Sequence, residues 1–369
     1  MGLKDMSIEN IATHFRINGS ILKAKPFGNG HINDTYLLVY NQSGTEKKYI
    51  LRKINKYVFK KPETVIQNSL KITDHIKNHL KNSGIKDTSR RVVQFVKTFD
   101  DKPFFTDENH DYWCVILFIE NAYTVDYVRK PNQAYEAAKA FGLFQKLISD
   151  APVNEYQYTI PDFHNLQKRL NLFDSVLADD MYSRKESAKP EIELAKKYRF
   201  LETRIESLLE RDELPLRIVH NDTKINNVML DNETDEGICV IDLDTVMPGY
   251  IISDFGDMVR TFTSPVAEDE QDTSKVTMRI DIFKALVNGY LFQLKEILTQ
   301  AEIDNLVYGA QLITYEQSIR FLTDYLNGDV YYSTAYSDHN LIRARNQFAL
   351  LESIMGKSDS MKNTIKFFL

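Results

Sequence analysis

The stretch Ile218-Val219-His220-Asn221-Asp222-Thr223-Lys224-Ile225-Asn226-Asn227-Val228-Met229-Leu230 constrains this chain more than any other. One apolar run delivers a short polar loop and a second apolar run leaves it, so Asp222 and Asn227 stand at opposite ends of a loop between two strands. Asn227 follows Asp222 by five positions, and His220 precedes Asp222 by two. A hydroxyl that attacks a phosphoryl group needs a carboxylate to orient it and an oxygen ligand nearby for Mg²⁺, and an Asp with an Asn five residues on supplies both. Further on, the apolar run Ile238-Cys239-Val240-Ile241 ends in Asp242-Leu243-Asp244. Alternation along a strand predicts both carboxylates on one side. Mg²⁺ favours oxygen ligands and is commonly held by one or two carboxylates plus phosphates. Asp242 is the expected ligand, with Asp244 as a second-sphere or second-metal partner. An Asx-rich turn joining two core strands accounts for one such segment alone. Two in order, each framed by strands, argue for a site.

The remaining pattern predicts an α+β chain. Ile21 to Phe27, Thr35 to Tyr40 and Lys48 to Ile54 read as strands, separated by Gly28-Asn29-Gly30 and by the turn Asn41 to Glu46. Pro62 to Leu80 has helical spacing behind an N-terminal proline, and Arg91 to Phe99, Phe104 to Phe105 and Trp113 to Ile119 look like further strands. Beyond Ile119 helical periodicity dominates. The expected architecture is two-lobed, with a small, mainly antiparallel β-rich lobe over 1–120 and a larger, mainly helical lobe over 121–369. Gly28, Asn29 and Gly30 form either an ordinary hairpin turn or a loop whose bare backbone approaches nucleotide phosphates. Arg52 and Lys53 point to opposite strand faces. Arg52 is the expected cleft cation, able to clamp phosphate with two hydrogen bonds; solvated edge charges are the alternative. Glu63 is the only acid near the start of the following helix.

The net charge of −6 and the absence of a basic stripe argue against nucleic acid as a partner. No run reaches membrane-spanning length. The hydrophobic content of 43% supports a sizeable core, and only 14 Gly and 10 Pro argue against a linker-rich chain. Cys114 and Cys239 lie inside apolar runs, which fits free buried thiols in a reducing compartment. With no signal-peptide pattern at the start, the expected location is the cytoplasm, and no obligate protein partner is evident.

The segments around Asp222 and Asp242 resemble those of the aminoglycoside phosphotransferase/choline kinase superfamily, with its His-x-Asp-x₄-Asn loop and downstream metal Asp. Within it HNDTKINNVMLD, VIDLDTVMPG, DFGDMVR, GNGHINDTY, RFLTDYLNGDVYY and NLIRARNQ look like the N-acetylhexosamine 1-kinases, over roughly residues 20 to 350. That resemblance implies a protein-kinase-like fold, ATP with Mg²⁺, and phosphorylation of GlcNAc or GalNAc at the anomeric hydroxyl. It implies Asp222 as catalytic base and Asn227 and Asp242 as Mg²⁺ ligands. It also implies Phe118 in an adenine pocket, with the backbone of Glu120 to Ala122 at the base edge. Glu316, Arg320 and Asp324 recur every four residues on one helix, as a surface ion-pair ladder or as polar groups for a ligand; the resemblance favours Arg320 as a sugar ligand, helped by Asp324 and Tyr331. His31 and Asp34 face the substrate or lie on a solvated loop. Homoserine, choline, methylthioribose or an aminoglycoside is an alternative acceptor, and a non-catalytic nucleotide-binding protein an alternative role.

Asp254-Phe255-Gly256 spells a kinase metal motif, but Asp242 already ends the expected strand. Asp254 and Asp257 are expected to open a helix and buttress the catalytic loop. Gly356-Lys357-Ser358 lacks the first glycine of a P-loop. His75 and His79, one helical turn apart, have no third ligand nearby in sequence, which argues against zinc.

Overall fold

The computed structural model describes residues 6–28 and 32–369. A short helix α1 (Ile8–Ala12) is capped by Ser7, whose Oγ accepts the Asn10 N–H at 3.2 Å. Strands β1 (Ser20–Pro26), β2 (Asp34–Gln42) and β3 (Thr45–Ile54) form an antiparallel meander. Ser43 and Gly44 make its second turn with φ of 52° and 82°, and Asn41 Oδ1 accepts the Gly44 N–H. Helix α2 (Pro62–Asn82) has proline at its first turn, where no N–H is needed. Strands β4 (Phe95–Val96), β5 (Phe105–Thr106) and β6 (Tyr112–Leu117) complete an antiparallel sheet of order β1-β2-β3-β6-β4, with β5 also on β6.

Register decides which face of this sheet is usable. Arg52 stands opposite Thr35 and Cys114, and Ile50 opposite Leu37 and Ile116, so these side chains share one face. On the other face Leu38, Tyr40, Tyr49, Leu51, Trp113 and Val115 pack with Ile11, Ala12 and Phe15 and are sealed. Only the Arg52 face is left to meet the rest of the chain.

Strand β7 (Ala122–Tyr123) leads to α3 (Pro131–Leu147), α4 (Leu166–Asp179), α5 (Lys189–Lys197) and α6 (Phe200–Glu210). Short strands β8 (Arg217–Val219), β9 (Val228–Asp231), β10 (Gly237–Val240) and β11 (Met247–Gly249) follow. Then come α7 (Ile251–Thr263), α8 (Ile280–Leu294), α9 (Gln300–Asp304), α10 (Leu306–Leu326), α11 (His339–Gly356) and α12 (Ser358–Phe368). The main core lies among α3, α7, α8, α10 and α11. The α+β class and its order, sheet first and helices after, are as the sequence pattern predicts. One detail differs: β10 ends at Val240, before the acids that alternation was expected to align.

Helices α7 and α10 cross at bare backbone. A Cβ on Gly256 would stand 2.3 Å from the Gly309 carbonyl oxygen, and one on Gly309 2.2 Å from that of Ile252. The glycine of Asp254-Phe255-Gly256 therefore serves helix packing. Gly256→Ala is expected to destabilise by about 1–3 kcal/mol, the usual cost of overpacking. Gly356→Ala, where an added methyl meets nothing within 4 Å, should be neutral or slightly stabilising. Urea denaturation of the two variants side by side checks this.

Candidate active site

The loop between β8 and β9 is held from below by Asp254, in the first turn of α7. Its Oδ2 accepts the His220 N–H at 2.8 Å and its Oδ1 the Asn221 N–H at 2.7 Å. Thr223 Oγ1 donates to the Asp254 carbonyl at 2.6 Å. Asn221 has φ of 63°, a left-handed turn that Asn tolerates and that aims consecutive N–H groups at one anion. Burial pushes the Asp254 carboxyl up, and the two N–H donors work against it. Asp254 thus has the buttressing place expected for it.

His220 is fully buried, edge-on to Phe141 and Phe144. Its Nε2 lies 3.0 Å from the Ile241 carbonyl, and its Nδ1 accepts the Asp222 N–H at 3.3 Å. A carbonyl on one side and an N–H on the other assign the neutral Nε2–H tautomer. The ring is a spacer that joins the two polar segments, not a proton shuttle.

Asp222 Oδ2 accepts from Asn227 Nδ2 at 3.0 Å and pairs with Lys224 Nζ at 3.2 Å. Asn227 Nδ2 also donates to the Asp222 carbonyl at 2.8 Å. With its nitrogen committed on that side, Asn227 Oδ1 is left as an acceptor with no hydrogen-bond partner among the described residues. The Ile241 N–H donates to the Asn227 carbonyl at 2.9 Å and brings the Asp242 segment alongside. Lys224 lies within the fields of Asp222, Asp242 and Asp257, which hold its ammonium charged well above the usual lysine range. The sequence reading passes over Lys224; its signal is a cation two positions after the carboxylate, inside the loop.

Asp242 and Asp244 have different surroundings. Asp242 has φ of 57°, and the turn Leu243–Thr245 follows. This left-handed residue, not strand alternation, brings both acids to Arg52. The guanidinium clamps Asp244 with two hydrogen bonds, Nη1 to Oδ1 at 2.9 Å and Nη2 to Oδ2 at 2.8 Å, and reaches Asp242 Oδ1 at 3.0 Å. Asn33 Nδ2 donates to Asp244 Oδ2 as well. Asp244 is therefore the counter-ion of Arg52, with a side chain 8% exposed against 42% for Asp242. Three hydrogen bonds engage its oxygens, as a residue behind a metal ligand would have, whereas Asp242 Oδ2 has no hydrogen-bond partner among the described residues. Burial alone would lower the Arg52 guanidinium, but Asp244 and Asp242 together raise it. Glu63 is exposed and accepts from Gln67, so the acid opposite Arg52 comes from the Asp242 segment and not from α2. Lys53, on the opposite face, pairs with Asp111 at 2.6 Å.

Along the face that carries Arg52, Leu37, Val39 and Ile50 form a small apolar cluster with Ile116 and Phe118. Phe27 meets Phe118 edge-on at 5.9 Å, and Gly28 turns with φ of 81°. Asn29, Gly30 and His31 lie outside the described residues. Part of the connector's backbone is engaged within the chain. The Glu120 and Asn121 carbonyls accept from Arg90 at 3.0 and 2.7 Å, and Ala122 pairs with Asp231 in the ladder between β7 and β9. Asp34 stands opposite Lys53 and so on the strand face away from Arg52.

A second polar cluster gathers on α10. Arg320 on α10 is flanked by the rings of Phe163 and Tyr332, at 5.4 and 5.6 Å, and donates to Gln317 Oε1 at 3.1 Å. Nearby, His164 Nδ1 meets Glu316 Oε1 at 3.1 Å, leaving His164 Nε2 and Glu316 Oε2 buried without partners among the described residues. Glu316 is buried, so the surface-ladder alternative fails. His164 lies within the field of Asp254, and Arg320 within that of Arg260, which pairs with Asp257. Asp324 is corrected: its two oxygens accept the N–H groups of Val330, Tyr331 and Tyr332 and the Asn340 amide, four bonds that saturate a carboxylate. It shapes the loop after α10 and has no acceptor left for a ligand. Tyr331 is 59% exposed, its ring against Tyr332. His164 and Tyr332 escaped the sequence reading, because only the packing of the segment before α4 on α10 brings them to Arg320.

Cys114 and Cys239 are free and buried, and burial pushes both thiols up to about 12, so neither is a ready nucleophile. The absence of a third ligand beside His75 and His79 is also corrected, since Asp150 meets both rings.

The sequence matches the family model described as "Phosphotransferase enzyme family" over residues 23–275. Three solved structures are similar across nearly the whole chain. A microcompartment-associated aminopropanol kinase is 16% identical with a TM-score of 0.65, covering 96% of this chain and 97% of that one. An aminoglycoside phosphotransferase from Alicyclobacillus acidocaldarius is 10% identical with a TM-score of 0.61, covering 99% and 98%. A choline kinase from Cryptosporidium parvum is 15% identical with a TM-score of 0.56, covering 98% of each chain. At these identities the likeness is one of fold.

Proposed function

Because the chain belongs to the phosphotransferase enzyme family, we propose that it transfers the γ-phosphoryl group of ATP to the anomeric hydroxyl of an N-acetylhexosamine. The observation that carries this reading is one loop in which Asp222, Asn227 and Lys224 converge beside Asp242, next to a sheet face that carries Arg52.

Asp222 orients the acceptor hydroxyl and takes its proton as the phosphoryl group moves in line. Asn227 Oδ1 and Asp242 Oδ2 fit a hard divalent cation, and Mg²⁺ held there would offset charge on the phosphate oxygens. Lys224, fixed by Asp222, adds a cation on the acceptor side. Arg52, its fork held by Asp244, sets a fixed positive charge beside Asp242 for the phosphates, and the patch of Leu37, Val39, Ile50, Ile116 and Phe118 on the same face offers an apolar bed for the base. Such a site accelerates mainly by positioning and preset charge.

The acceptor is argued from Arg320. A half-buried guanidinium with one hydrogen bond among the described residues, between two aromatic rings and near two unpartnered polar atoms, suits a neutral, hydroxyl-rich ring. It opposes an ammonium-bearing acceptor such as choline or ethanolamine by charge. The segments HNDTKINNVMLD and VIDLDTVMPG support the hexosamine reading. The base and both metal-facing oxygens are present, which speaks against a non-catalytic role. The test offers Mg·ATP with GlcNAc, GalNAc, choline, ethanolamine and homoserine, and identifies products by phosphorus NMR. A sugar 1-phosphate is expected. Transfer only to an amino alcohol would overturn the sugar reading and leave the kinase reading standing. A hydrogen bond to a charged group contributes about 1.5–3 kcal/mol. Arg320→Ala should therefore lower kcat/KM for the sugar about tenfold or more, with KM for ATP little changed.

A further inference from the structure

Away from this site, two imidazoles and a carboxylate converge where α2 meets the turn after α3. His75 and His79 are four positions apart on α2, so they project from one face, and their ring centroids lie 4.8 Å apart. Asp150 sends one oxygen to each: Oδ1 is 2.8 Å from His75 Nε2, and Oδ2 is 3.2 Å from His79 Nε2. One ligand atom from each residue falls within 4.8 Å of the other two. Among the described residues neither ring makes another hydrogen bond.

We propose that His75, His79 and Asp150 bind a zinc-type divalent cation, and that the bound ion ties α2 to α3. Two nitrogens and one carboxylate oxygen are the ligand set of an open zinc site, with the fourth position left to water. Imidazole suits zinc, nickel and copper, whereas Mg²⁺ prefers all-oxygen shells. As ion pairs the same groups would place two imidazolium charges on neighbouring turns. With exposures of 24%, 40% and 61%, such pairs contribute little. A metal needs both rings neutral, so their closeness carries no charge penalty. The helix it would anchor also holds the turn after Asp242: Asn68 Nδ2 donates to the Val246 carbonyl at 2.9 Å, and Ser69 Oγ to that of Leu243 at 3.1 Å.

The experiment titrates Zn²⁺ into chelator-treated full-length protein in excess Mg²⁺, following heat of binding and Tm. Co²⁺ is then used for its visible absorption, which is stronger for nitrogen-ligated, low-coordinate sites than for octahedral all-oxygen ones. One equivalent of zinc is expected to bind and raise Tm, and to do so equally in Asp242→Asn. His75→Ala and His79→Ala should weaken it at least about tenfold, the lower end of what losing even an outer-shell partner costs. The more exposed His79 guards against a folding defect, since its metal-free Tm should match the parent's. Ordinary hydrogen-bonded imidazoles would give no zinc-dependent rise in Tm, and that overturns the proposal. So does binding that is lost in Asp242→Asn but unchanged in both histidine variants.

Discussion

Asp222→Asn is expected to lower kcat by about 10²–10⁴, the usual contribution of a positioned base, with Mg·ATP binding close to native. The substitution is nearly isosteric, and its side-chain oxygen can still accept from Asn227 Nδ2, the 3.0 Å contact that commits the Asn227 nitrogen. The backbone stays held as well, because His220 Nδ1 and Asp254 bind the N–H groups of the loop independently of the carboxylate. What is lost is the proton acceptor and the charge opposite Lys224. Single-turnover phosphoryl transfer and nucleotide binding, measured on one preparation, separate the two effects. Near-normal turnover would remove Asp222 from the chemistry. Loss of nucleotide binding in proportion to turnover would mean that the carboxylate holds the loop together rather than the substrate.

What was legible in the chain follows from how far apart the partners lie. Asp222, Asn227 and His220 interact within one loop, so spacing alone announced them, and strand alternation assigned Arg52 and Lys53 to opposite faces correctly. Asp244 was half legible. Its place beside Asp242 is local, but its clamp on Arg52 joins residues 192 positions apart and depends on how the sheet sits over the loop. Asp324 misled because four-residue periodicity shows which helical residues share a face, not what covers it; the returning loop of residues 330–332 consumes its oxygens. Asp150 was invisible for the same reason, lying on a different element from His75 and His79. The strand-end argument expected pleat alternation to align Asp242 with Asp244, whereas a left-handed backbone at Asp242 sets their directions.

The Arg52–Asp244 pair separates stability from function. Asp244→Ala leaves a guanidinium 16% exposed with only Asp242 as partner, and breaking a buried pair by removing one side costs about 3–5 kcal/mol. The low end is expected here, because Asp242 still accepts one of the hydrogen bonds. Replacing both members by apolar residues of similar size often restores stability. Arg52→Met with Asp244→Leu should therefore recover most of what Asp244→Ala loses, provided the Asn33 amide finds another acceptor. Activity should not follow. With the cation gone, KM for ATP rises and kcat falls in the double variant even though it is folded. Glu63→Gln, on the exposed start of α2, should change neither stability nor rate, as surface substitutions usually stay within about 0.5 kcal/mol. Denaturant midpoints for the three variants, paired with ATP titrations of their kinase activity, make the comparison. A double variant with native ATP kinetics would show that Arg52 only holds the two lobes together, and the nucleotide's phosphates would then need another cation.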